Sequence, residues 1–223
     1  MKKLWIIAAS LLLMPCAGFS QDAKDIAKER KEISRLSKSE LNAKASKAAR
    51  KAAKEAVRDG WAVAPGALPL EKQFDKSYNM QYEYDENACP KYIMGEAMSI
   101  GANYDAAKMQ ALELAKQNLA GQIQTEITAI IENTVANEQM EEEQAASITE
   151  TVMASKNIIS QSIGRVIPVV ECYRVKKNKV KEVRVVIAYN SSMAMKAAKE
   201  AVRQQLEKKG DKLHEQLDNV LGF

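Results

Sequence analysis

The apolar positions between residues 91 and 135 change their period midway. Residues 91–101 (KYIMGEAMSIG) read as a strand, with Gly95 and Gly101 marking a close approach or a bend. A Gly-Ala-Asn turn follows. Met109, Leu112, Leu119, Ile123, Ile127, Ile130 and Ile131 then recur at spacings of three, four and seven. That is the stripe of a core-facing helix, with Ala111 and Ala115 permitting close contact. Asn103 or Asp105 is placed to cap it. At roughly 30 residues the helix is ~45 Å long, so it runs past the sheet or bends near Gly121. This central strand and its helix are what the rest of the chain covers and pairs.

Residues 145–163 predict a second helix, with Ile148, Val152, Ile158 or Ile159, and Ile163 inward. The acidic stretch 137–144 (NEQMEEEQ) is the solvated tip of this αα-hairpin; it lacks the Asp/Asn spacing and the turn glycine of a calcium loop. Residues 165–175 read as a strand whose Pro168 belongs at an edge or bulge. A turn at 176–179 returns the chain as a strand over 180–189, with Val183, Val185, Ile187 and Tyr189 on one face. Asn190 and Ser191 cap a final helix with the stripe Met193, Ala197, Ala201, Val202 and Leu206. A short helix over 210–223 carries Leu213, Leu217, Val220 and Leu221.

Upstream, Tyr78, Met80, Tyr82 and Tyr84 alternate with Asn79, Gln81 and Glu83, the period of a half-buried strand. Residues 61–76 hold Pro65, Gly66 and Pro69 and read as a linker that docks through Trp61, Leu68, Leu70 and Phe74. Residues 22–59 contain neither Pro nor Gly and predict one helix, stopped at Gly60, with a thin stripe that ends in Ala45, Ala49, Ala52 and Val57. The fold class is therefore α+β: a small antiparallel sheet with a helical hairpin and a C-terminal helix packed on it, preceded by a long N-terminal helix.

Residues 1–20 (MKKLWIIAASLLLMPCAGFS) have the basic start, apolar run and small-residue end of an export signal. Cleavage after Ser20 leaves Gln21 first. The competing reading acylates Cys16, which Pro15 directly before it disfavours. The organisation is then a signal over 1–20, an Ala/Lys-rich helical extension over 21–60, a linker over 61–76, an α+β domain over 77–209 and a short helix over 210–223.

Charge and chemistry narrow the function by exclusion. The chain is 46% hydrophobic and 5% aromatic with a formal charge of +4, two units of which are Lys2 and Lys3 in the signal. So small a balance, and no aromatic-basic strand motif, give no case for nucleic acid. A basic run comprising Lys44, Lys47, Arg50, Lys51, Lys54 and Arg58, with Trp61 behind it, invites a membrane or polyanion reading. Acids interrupt the run and its stripe lacks Trp and Phe, which favours a solvated helix that packs on the domain or docks a partner. The single histidine, His214, has no Cys or His at metal-ligand spacing. No phosphate-cradling glycine loop or nucleophile triad is present, and Glu141 and Glu142 sit on an exposed tip. No catalytic residue, metal or cofactor is predicted. In an exported chain Cys89 and Cys172 form a disulfide if their strands are neighbours, and stay separate thiols if they are not.

The order of elements carries a resemblance. A Gly/Ala strand (residues 92–101) leads into an Ala-rich helix with a Leu-Ala-Gly-Gln-Ile step. A second helix, Gly164 and two strands ending in Val-Ile-Ala-Tyr (residues 186–189) follow. Over residues 92–206 this resembles the lipoprotein LPP-twenty family of bacterial envelope proteins. The resemblance implies helices packed on one face of a small antiparallel sheet and a non-catalytic role in the periplasm or at the outer membrane. The expected function is a binding or assembly module, whose partner is an envelope protein or a second copy; the membrane is a partner if Cys16 is lipidated. The alternative is a carrier of a lipid or peptidoglycan fragment, in a groove between helices and sheet lined by Met80, Met94, Met98 and Met109.

Overall fold

The computed structural model describes residues 42–137 and 140–208, and additionally residues 28, 30–32, 34, 35, 39 and 217. Contacts divide the chain into two units, Met1–Lys44 and Ala45–Phe223. Residues 1–20, where an export signal is expected and which include Cys16, and His214 lie outside the described residues. In the first unit the described positions 28, 30–32, 34, 35, 39 and 42 are helical. Leu217 is helical and buried.

The predicted long helix over 22–59 is interrupted. Residues 43–46 are not helical, and α1 (Lys47–Arg58) begins afresh at Ser46, whose hydroxyl accepts the Ala49 N–H at 3.2 Å. The Ser46 N–H in turn donates to Asp75 at 2.9 Å. That bond, helped by a second one from the Ser46 side chain, holds the Asp75 carboxyl below its usual range. A tertiary contact, not a local breaker, therefore sets this boundary.

The predicted linker and tyrosine strand are replaced by α2 (Leu70–Gln81). Its buried side chains are Leu70, Gln73, Phe74 and Met80, at helical rather than alternating spacing. The tyrosine alternation was coincidental: Tyr82 and Tyr84 are exposed, and Tyr84 joins a short hairpin by bridging Pro90. The compact unit thus starts at Ala45 rather than at residue 77, because α1 and α2 belong to its second core.

Three strands, β1 (Tyr92–Gly101), β2 (Ile167–Val175) and β3 (Lys181–Asn190), form an antiparallel sheet in the order β1-β3-β2. The central strand is β3, not β1. Its Val183, Val185, Ile187 and Tyr189 enter one core, and its Val186 and Ala188 enter the other. Pro168 lies on an edge strand where the register shifts.

The helix α3 (Tyr104–Ala136) runs back across the first face, capped by Asn103, which accepts the Ala106 N–H at 2.8 Å. Two glycines set its distance. A Cβ at Gly95 would stand 2.4 Å from the Ala115 carbonyl oxygen, and one at Gly101 2.8 Å from the Ala107 nitrogen. The buried row Ala107, Ala111, Ala115, Leu119, Ile123, Ile127 and Ile131 steps by four. Each step turns the row ~40° around the axis, so the buried side winds from the sheet toward the other helices. Met109, expected in the stripe, falls outside that row and is exposed.

The second arm of the hairpin is two helices, α4 (Glu142–Ala154) and α5 (Lys156–Ser162). The buried Gln124 amide donates to the carbonyls of Val152 (2.6 Å) and Met153 (3.0 Å), satisfying the end of α4 where the chain breaks at Ser155. The last helix, α6 (Ser191–Lys208), buries Ala194, Met195, Ala198, Ala201, Val202 and Leu206. Met193 is exposed, because Asn190 accepts its N–H and holds it at the open first turn. Opposite, α2 packs on β2 and α1 packs on α2, and together with the second face of the sheet they form the second core. The fold is α+β as expected, but helices pack on both faces of the sheet rather than on one.

Candidate functional site

The second face of the sheet is only partly roofed. The helix α1 lays Ala49 and Ala53 inward, and α2 sets Phe74 against Val170, Val186 and Ala188. Between these helices, the exposed half of the sheet and the flank of α3 lies a cleft of about 810 Å³. Its floor is Met94 and Glu96 of β1, Val170 and Cys172 of β2, and Arg184 and Val186 of β3. One wall carries Glu55, Asp59, Trp61, Tyr78 and Gln81; the other carries Asn118, Gln122, Thr125 and Lys156.

The floor is electrostatically prepared. Arg184 Nε donates to Glu96 at 2.7 Å across neighbouring strands. Burial presses the Arg184 charge toward neutrality, but the Glu96 hydrogen bond and charge outweigh it and the pKa rises. Further along β3, Glu182 accepts from Arg174 and lies 3.3 Å from Lys176. The Arg174 guanidinium stacks 4.6 Å from the Trp61 ring, which fixes that ring at the mouth of the cleft. The Cys172 thiol is buried, and desolvation pushes its pKa up to about 11. It is therefore protonated at neutral pH and unsuited to nucleophilic attack. The cleft brings together aromatic faces, amides, charges of both signs and apolar side chains, the mixture of a ligand-binding lining.

The residues expected to dock a partner separate into two groups. Lys47, Arg50, Lys51, Lys54 and Arg58 are exposed and occupy a roughly 100° arc of α1 opposite its buried alanines. None of the five forms an ion pair among the described residues. Lys44 is exposed in the first unit. Trp61 is half-buried in the cleft wall, away from that arc. Of the four methionines, Met94 lines the cleft, Met80 is buried in the second core, and Met98 and Met109 are exposed.

The proposed disulfide is corrected. Cys89 is exposed before β1, Cys172 is buried on β2, and both are free, because β3 lies between the two strands that had to be neighbours. Sequence reasoning also missed Glu96, Arg184, Asn118, Gln122 and Lys156. A charge inside each of two apolar strands was the available signal; that the two meet diagonally across neighbouring strands depends on a register that sequence does not print. Among the described residues no three His, Cys, Asp or Glu side chains converge on a metal-sized site, and no helix is long and apolar enough to cross a membrane. The chain matches no protein-family model, no curated protein and no solved structure.

Proposed function

We propose that this chain is an exported, non-catalytic binding module of the bacterial envelope, and that it docks an acidic protein surface through the outer face of α1. The observation that carries the reading is the arc of five unpaired cations on a helix whose other side is anchored by buried Ala49 and Ala53. A rigid, single-signed face steers and holds an acidic partner. Val57 is the lone large apolar side chain exposed on that helix, so it has little to insert into a bilayer, and a protein partner is favoured over lipid. The export pattern of residues 1–20 and the resemblance to the LPP-twenty family support the envelope as the setting.

A second reading is favoured by the cleft, which lies where a carrier's groove was expected. Its lining selects among ligands. An acyl chain would strand Glu55, Asp59 and Lys156 against hydrocarbon, at a cost of several kcal/mol (~2–7 per unpaired polar group). A peptidoglycan fragment, with hydroxyls, amides and carboxylates, would satisfy them, and Trp61 and Tyr78 offer faces for its sugars.

One experiment tests both. A photo-cross-linker at position 54 is activated in intact cells, with and without Arg50→Glu and Arg58→Glu. The docking reading expects one acidic protein to be captured, and lost with the charge reversals at unchanged melting temperature. Capture that ignores the reversals, or binding to anionic lipid vesicles instead, overturns it. Absent capture together with an added mass on the native protein would transfer the function to the cleft.

A further inference from the structure

The two edges of the sheet are finished differently. The outer edge of β2 is closed. Its Glu171 N–H donates to Gln73 at 2.6 Å, and its Tyr173 exchanges two 2.8 Å backbone bonds with Ala62. Among the described residues no strand or loop backbone pairs the outer edge of β1. The α3 residue Asn118 reaches around it and donates to the Glu96 carbonyl at 2.7 Å. That carbonyl therefore points outward, and so do the backbone groups of Met94, Met98 and Ile100, two and four residues away. Among the described residues Glu96 is the one of these whose outward backbone group has a partner. A side-chain amide stands there in place of a backbone N–H.

The usual protections of an edge are missing. Within its ten residues β1 has no Pro, no Lys and no bulge. Its single charge, Glu96, is drawn onto Arg184. Both sides of the edge are apolar instead. Met98 and Ile100 are 54% and 53% exposed on the cleft face. On the other side Leu114 is 42% exposed. It lies on the α3 flank midway between Gln110, which is bonded to Ser99, and Asn118.

We infer that β1 pairs with β1 of a second copy, antiparallel about a two-fold axis at Met98. The geometry favours a second copy because this register is self-complementary. Met98 faces its own counterpart and Ile100 faces Glu96, so the two Glu96 carboxylates do not oppose each other. Outward-facing residues meet outward-facing residues, and roughly six inter-chain hydrogen bonds form. The Ile100 N–H of one protomer takes over the Glu96 carbonyl that Asn118 holds. The pairing doubles the three-stranded sheet and brings the two α3 helices together through Leu114. This interface lies at the sheet edge opposite β2 and is independent of the docking face on α1.

The test is the mass of the purified chain in solution over a concentration series, by light scattering and sedimentation, for the parent, Met98→Lys and Met109→Lys. Met109 is exposed on α3 and serves as the control. The expected result is a dimer that Met98→Lys weakens at least tenfold and Met109→Lys leaves alone. A second variant reports the register without disturbing the edge. In a Cys89→Ser background, Met98→Cys should cross-link two copies on mild oxidation, because paired residues place their Cα atoms ~5.5 Å apart. A monomer at every concentration overturns the inference. So does a dimer that ignores Met98→Lys and gives no Met98→Cys cross-link.

Discussion

Replacing Gly95 with alanine puts the packing of α3 on the sheet to a direct test. A methyl group there would sit 2.4 Å from the Ala115 carbonyl oxygen and 2.9 Å from Leu119 Cβ. The first contact is with backbone inside a helix, so no side chain can swing aside. The helix must lift by close to an ångström along the seam where Ala107, Ala111 and Ala115 meet β1. Overpacking of this kind costs about 3 kcal/mol at the upper end of its usual range. Alanine's lower backbone entropy in a strand returns up to about 1 kcal/mol, leaving a net loss of about 2 kcal/mol. For a domain of this length that lowers the melting temperature by roughly 4–8 °C. Gly121→Ala is the control of opposite sign. There the new methyl meets the end of the Lys156 side chain at 3.4 Å, a group free to move. The helix gains about 1 kcal/mol and melts roughly 2–4 °C higher. Calorimetric scans of the three proteins decide the matter. A Gly95→Ala protein as stable as the parent would refute the close approach of α3 to β1.

Two further outcomes follow from buried chemistry. Burial alone would raise the Glu182 pKa, but hydrogen bonds from Arg174 and Lys176 outweigh it and the pKa is lowered. Its stabilising contribution is present above the unfolded carboxyl value and is lost as pH falls through the lower folded one. Glu182→Gln should thus cost about 1–3 kcal/mol at neutral pH, a gap that closes below roughly pH 4; urea melts showing a gap constant with pH would contradict this. Iodoacetamide under native conditions should modify Cys89 alone, with Cys172 reacting after unfolding. Two unreactive cysteines by mass spectrometry would restore the disulfide.

The parts of the fold that were legible in the sequence are those decided locally. The strand at 92–101, the Asn103 cap, the turn at 176–179 and the Asn190 cap rest on spacing and side-chain hydrogen bonds a few residues long. The elements that escaped depend on contacts far along the chain. The break at Ser46 is completed by Asp75, the end of α4 by Gln124, and the position of α2 by Gln73, which bonds β2. Polar side chains that satisfy distant backbone groups carry no periodic signal. That is why the tyrosine alternation over 78–84 outweighed the true helical face of Leu70, Phe74 and Met80.

The same distinction explains the candidate sites. The basic arc of α1 was legible because one helix supplies all of it; what remained hidden was that Ala49 and Ala53 anchor the opposite side, turning a loose charged arm into a fixed surface. Deleting that helix would therefore uncover α2 and the second core, so its role has to be probed by reversing charges and not by truncation. The cleft and the open β1 edge were illegible because both are products of strand order. With β3 at the centre, β1 is left with a side that none of the described residues pairs, Glu96 is set opposite Arg184's neighbour on the same face, and Cys172 is carried away from Cys89. A single topological fact thus removes the covalent clamp expected of an exported domain and opens an edge that a second copy can close.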